Sequence, residues 1–177
     1  QAWFLVLAGF VTLVFSYNAF SYDLFNYIFD AKIITHYHLN PYLYRALDFP
    51  NDPMLSFMRW THRYYPYGPA WLILTVPISF IGLNIFSFTF FLFKIFISGF
   101  FLGTVYLIEK IVRKVSPGNE IYALIFFGLC PLVLIESVVS VHNDIVMMFF
   151  AVLGIYLAIN KKFIFSIISI IFFYFVK

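Results

Sequence analysis

Residues Ile85–Ile108 read IFSFTFFLFKIFISGFFLGTVYLI, 24 positions with one charge, Lys94. A helix rises 1.5 Å per residue, so this run predicts a rod about 36 Å long. That exceeds the ~30 Å hydrocarbon core of a bilayer. The run is apolar on every side, which a surface helix of a soluble domain is not.

The rest of the chain agrees. It is 63% hydrophobic and 11% charged, with a mean hydropathy of +0.94. Soluble domains carry about 25% charged residues, so a water-soluble fold is excluded. Further apolar runs lie near residues 2–20, 121–135, 145–159 and 163–176. They are continuous rather than alternating, which predicts helices and not barrel strands. The expected fold is all-α, a polytopic bundle of transmembrane helices forming one domain over residues 1–177. The apolar segment 70–82 is short and interrupted by Pro77, and is read as an interfacial helix. The chain opens at Gln1 and closes at Lys177, each beside an apolar run, the pattern of the N-terminal part of a longer protein. Cys130 stands alone, so no disulfide framework is expected. The net charge of +3 gives no reason to expect nucleic acid.

Basic residues near span ends set orientation. Lys110, Arg113, Lys114, Lys161 and Lys162 place two turns on the cytoplasmic side. With segment 70–82 in the interface, the loop 21–68 and the link His142-Asn143-Asp144 share the external face. Gly99 and Gly103 form a Gly-x-x-x-Gly, a spacing that lets a second helix approach closely.

The loop 21–68 holds four of the eight acidic residues and three of the four histidines. A helix starting at Asp23 puts Asp23, Asn26, Tyr27 and Asp30 on one face and Leu24, Phe25, Ile28 and Phe29 on the other. Two readings stand: a solvated face at the water boundary, or a general base whose carboxylate is partly desolvated. His36 and His38 alternate, but no Cys or carboxylate spacing completes a metal site, so no metal or other cofactor is expected. Asn40-Pro41-Tyr42 reads as a turn. Tyr65-Pro66-Tyr67-Gly68 supplies rings for headgroup anchoring or for stacking on a sugar. Arg59 and Arg63 are ordinary loop charges or phosphate ligands. Lys94, inside a span, either snorkels or serves a function. Asn143 and Asp144 suit a helix N-terminus; alternatively, Asp144 faces Asp23 across the external surface. Glu136 ends the preceding span.

Tyr22-Asp23, Tyr27, Asn40-Pro41-Tyr42, Tyr65-Pro66-Tyr67-Gly68 and Trp71 together resemble the first external loop of GT-C class membrane glycosyltransferases. Pro131–Glu136, then His142-Asn143-Asp144 and Met147–Phe150, are similar to polyprenol-phosphate-mannose-dependent mannosyltransferases. The resemblance runs from the first span to about Tyr156. It departs from many relatives at Pro66-Tyr67, where they have Pro-Pro, and at Asp23-Leu24, where others have Asp-Glu. It implies transfer of a hexose from a polyprenyl-phosphate donor to a glycan, lipid or protein acceptor at a cell membrane. Asp23 maps onto the catalytic base, with Asp30 and Asp144 as further acidic groups. Lys94, Arg59 and Arg63 are expected at the donor phosphate. Tyr27, Asn40, Tyr65, Tyr67, His142 and Asn143 are expected at the sugar or acceptor. A transporter or flippase, which favours several buried charges in broken helices, and an assembly subunit are the competing readings.

Overall fold

The structure is a computed structural model that describes residues 1–177. It is all-helical, with no strand. The helices are α1 (Ala2–Val14), α2 (Asp23–Thr35), α3 (Pro69–Ile81), α4 (Phe86–Val115), α5 (Glu120–Gly128), α6 (Pro131–Leu134), α7 (Asp144–Ile159) and α8 (Phe163–Val176). A π-helical turn, Ile135–Val139, continues α6, and two 3₁₀ turns, Ala46–Asp48 and Pro53–Phe57, lie in the loop after α2.

Only α4 is by itself long and apolar enough to cross a membrane. It runs past the expected end of the span because Glu109 and Arg113 pair one turn apart and carry the helix on to Val115. The α5 segment and the α6–π segment meet the same test jointly, but they are bent by 55° at the break. Pro131 sits at that break and lacks an N–H to continue the ladder. The other apolar helices, α1, α3, α7 and α8, have 13, 13, 16 and 14 residues.

Helix α1 stops at Val14, short of the expected boundary at residue 20. Just beyond its end, the Ser16 hydroxyl donates to the Leu13 carbonyl at 2.6 Å and Lys94 of α4 donates to the Ser16 carbonyl at 2.6 Å. Helix α3 is about 20 Å long at 1.5 Å per residue, and packs against α2, α4 and α8. Its N-cap is Gly68, where any Cβ would lie 2.0 Å from the Phe175 carbonyl oxygen. Only glycine lets the end of α8 seat there.

Helix α4 is the central column. Phe93, Ile97, Phe101 and Val105 on it are fully buried. At its C-terminal end Lys114 reaches Asn160 at 2.9 Å, so the two basic turns meet. Toward its other end Ser98 donates to the Ser137 carbonyl in the π-turn. The Gly-x-x-x-Gly is not used as a pair. Gly103 faces the Phe149 ring of α7, 2.7 Å from an ideal Cβ, whereas Gly99 has nothing within 4 Å. Gly103→Val is therefore expected to lower stability by about 1–3 kcal/mol through overpacking. Gly99→Ala is expected to be neutral or mildly stabilising, since alanine favours the helix. Thermal melting of the two variants in detergent checks the difference; equal losses would mean that the α4–α7 contact does not depend on Gly103.

Candidate functional site

Asp23 opens α2, and its N–H donates to Ser21 Oγ at 3.1 Å. Residues Leu24 to Ile33 are all buried. The expected face is present, but it is not a water-facing one: α3 packs on α2, and the Trp60 carbonyl accepts from Asn26 at 3.3 Å. Asp23 itself stays partly open, with its side chain 29% exposed.

The link before α7 reaches Asp23. His142 Nε2 lies 3.7 Å from Asp23 Oδ2. The other ring nitrogen, Nδ1, lies 2.5 Å from Glu136 Oε2. An ionised carboxylate only accepts, so the Glu136 contact calls for a proton on His142 Nδ1, and Nε2 is the ring nitrogen that faces Asp23. The three groups are in line, carboxylate–imidazole–carboxylate. The imidazole nitrogens point apart, so the carboxylates do not converge on one point, and no group of three His, Cys, Asp or Glu side chains is arranged to hold a metal ion.

Two backbone irregularities build this line. The π-turn Ile135–Val139 carries Glu136, and Val141 adopts φ 59°, a left-handed conformation that is rare for a β-branched residue. The His142 N–H then bonds back to the Glu136 carbonyl at 3.0 Å, as in a helix C-cap where glycine is usual. Strain of this kind costs about 1–3 kcal/mol and collects at functional sites, as do π-turns.

Behind Asp23 stands an aromatic wall. Tyr27 packs edge-on to Tyr67 at 5.3 Å and to Trp71 at 5.1 Å. Tyr65 continues it against Tyr67 at 5.6 Å and Tyr42 at 5.0 Å. The Tyr27 hydroxyl accepts from the Asn143 N–H at 3.3 Å, which ties the link to α2. The Asn143 side-chain nitrogen Nδ2 and the Trp71 indole nitrogen are buried and make no hydrogen bond within the protein. Burial pushes the Tyr27 hydroxyl well above its ordinary value, with the Tyr67 and Asp23 charges adding to it. Burial and the Asp23 charge also push Tyr67 up, to about 12. Both are neutral hydroxyls at physiological pH.

Asp30 shares the face of Asp23 and is buried. Burial pushes its pKa up to about 7, against the opposing pull of Arg63. This has a sign. The unfolded carboxyl ionises near 3.8 and the folded one near 7, so between those values the folded state alone holds the proton and stability falls as pH rises. Asp30→Asn is expected to melt like wild type at pH 4 and above it at pH 8, the gap opening up to pH 7 and then flat. A gap that does not change with pH would show Asp30 to be ionised throughout.

The remaining expected residues divide. Arg59 lies over the Tyr22 ring at 4.9 Å and Arg63 over Trp60 at 5.1 Å; both are exposed and neither is bridged to a carboxylate. Lys94 is fully buried, with its ammonium on the Ser16 carbonyl. Asn40 is exposed, its Oδ1 accepting from the Tyr42 N–H at 3.0 Å. Asp144 is bonded by Lys177 at 2.7 Å. It nevertheless lines a cavity of about 340 Å³ together with Glu136 and His142, whose other walls include Phe127, Leu132 and Met148. Glu136, which sequence reasoning left as a span end, is held against His142 in this cluster.

The model of the alpha-(1->6)-mannopyranosyltransferase N-terminal domain matches this chain over residues 1–177. The chain belongs to that family. It is a mannosyltransferase of the GT-C type, as the order of its loop and link motifs led one to expect. Membership fixes the enzyme class, a glycosyltransferase, and implies a sugar donor and an acceptor. No curated protein and no solved structure matches the chain.

Proposed function

We propose that this mannosyltransferase is a multi-pass protein of the cell membrane. It moves a mannose unit from a polyprenyl-phosphate donor to the hydroxyl of a glycan, lipid or protein acceptor on the external face. The observation that carries this reading is the line Glu136–His142–Asp23, with Asp23 partly open and 3.7 Å from His142 Nε2.

In this reading Asp23 takes the proton from the acceptor O–H as that oxygen bonds to the anomeric carbon. The bond from that carbon to the phosphate oxygen breaks, and polyprenyl phosphate leaves with the electron pair. The proton passes from Asp23 to His142 Nε2 and out to solvent, while Glu136 stabilises the imidazolium. Contacts of this kind shorten when substrate is bound, so a 3.7 Å spacing is compatible with transfer. Arg59 and Arg63, unpaired and exposed, offer donors to the departing phosphate. Lys94 contributes positive potential from below rather than a contact. Tyr27, Tyr65 and Tyr67 are neutral hydroxyls beside the acceptor, with Asn143 holding Tyr27. The apolar walls of the cavity beside His142 suit the first isoprene units.

The test uses membranes containing the full-length protein. Radiolabelled polyprenyl-phosphate mannose is expected to serve as donor and a nucleotide-linked mannose is not. Transfer from the nucleotide sugar alone, in membranes unable to make the lipid donor, would overturn the donor assignment.

A further inference from the structure

A second polar cavity lies on the far side of α2. At 100° per residue, Asp23, Tyr27 and Asp30 fall within an arc of about 60°, and Ile28, Lys32 and His36 fall about 180° away. The cavity holds about 260 Å³. Its floor is Lys32, Asp52, Ser79 and Thr89, all buried, and its mouth is His36, Asn51 and Asn84, all exposed.

The floor has a fixed charge pattern. Lys32 Nζ lies 2.6 Å from Asp52 Oδ2, and the Tyr37 hydroxyl donates to the same oxygen at 2.6 Å. Asp52 Oδ1 accepts from the Met54 N–H at 2.9 Å. The pair is neutral as a unit, so neither an anion nor a cation gains by entering. The hydrogen-bonding capacity is not exhausted, however. Lys32 has three N–H donors and one carboxylate partner. The side chains of His36, Asn51 and Asn84 make no hydrogen bond within the protein. Tyr37 forms one wall, stacked at 4.1 Å on Phe49, and Phe86 forms another. Charged, amide and imidazole groups with spare donors and acceptors, between rigid aromatic rings, match a neutral ligand bearing several hydroxyls.

We propose that this cavity is a second carbohydrate site, which binds one neutral hexose unit of a glycan and does not act on it. The reading rests on the mannosyltransferase assignment only for the choice of sugar. The cavity holds neither Asp23 nor His142, so the bound unit is not the one that reacts. A glycan chain held there while another end reaches Asp23 would be retained between transfers.

The test is calorimetric titration of the full-length protein in detergent with an α-1,6-linked mannotriose. Wild type and Asp23→Asn are expected to bind it alike and saturably. His36→Ala and Asn84→Gly are each expected to weaken binding at least tenfold. Neither variant touches the ion pair, and glycine accepts the φ of 58° at position 84. Absence of saturable binding overturns the proposal. So does binding that Asp23→Asn removes or that both mouth variants leave unchanged, or displacement by inorganic phosphate at equal concentration. A failure to transfer sugar from any lipid donor would sink the proposed reaction and leave this result standing.

Discussion

Asp23→Asn is expected to lower mannose transfer by about 10²–10⁴-fold, the range spanned by loss of a positioned general base, with no change in melting temperature. Asparagine has the shape of aspartate but cannot take the acceptor proton. Its effect on folding is small because the Asp23 carboxylate is partly open and its nearest polar partner, His142, is 3.7 Å away. Activity and stability therefore separate at this position. His142→Gln should lose transfer as well, since glutamine cannot pass the proton on. Glu136→Gln should lose less, because it leaves the imidazole present and removes only its orienting charge. The order Asp23→Asn, then His142→Gln, then Glu136→Gln is what a relay demands. Equal losses at all three would indicate collapse of the link instead, which the melting curves would reveal. Wild-type transfer by Asp23→Asn would move the base to Asp30 or Asp144.

Part of this site was legible in the sequence because it follows a helical period. Asp23, Tyr27 and Asp30 share a face in α2 for the reason that any residues at i, i+4 and i+7 do. Helix α4 was legible from length and hydropathy alone. The Glu136–His142 contact was not. In a regular α-helix, residues six apart point about 240° from each other. Only the π-turn and the left-handed Val141 bring the two side chains together, and a valine gives no sign of a positive φ. The end of α1 was hidden for a different reason. Residues 15–20 are mostly apolar and contain neither glycine nor proline, and the Ser16 carbonyl just past the helix is taken up by Lys94, 78 positions away. The burial of α2 was hidden likewise. It comes from α3 and α4, which pack on it, and from the loop after it, whose turns have no periodicity to read.

Asp52→Ala is the substitution expected to damage the fold most. Asp52 and Lys32 are both buried, with side chains 1% and 11% exposed. Burial alone would raise the Asp52 pKa, but the bonds from Lys32, Tyr37 and the Met54 N–H outweigh it and hold the carboxyl below its ordinary value. Removing that carboxyl leaves an ammonium without a counter-charge, which typically costs about 3–5 kcal/mol, against total stabilities of about 5–15 kcal/mol. The Tyr37 hydroxyl and the Met54 N–H lose their acceptor in the same step. The damage should start in the loop, because Asp52 anchors the chain that carries Arg59 and Arg63 to α2. Limited proteolysis is expected to cut between residues 46 and 67 before the helices melt. The double variant Lys32→Met/Asp52→Leu removes both charges together and should recover most of the loss, as replacement of a buried pair by apolar groups often does. The pH dependence follows from the same bonds. The folded pKa lies below the unfolded value of 3.8, so the pair stabilises above that pH and its contribution disappears as pH falls through the folded value. Wild type should therefore lose loop protection in acid below about pH 4, and the double variant should lose less. A double variant as unstable as Asp52→Ala would assign the cost to packing rather than to the unpaired charge.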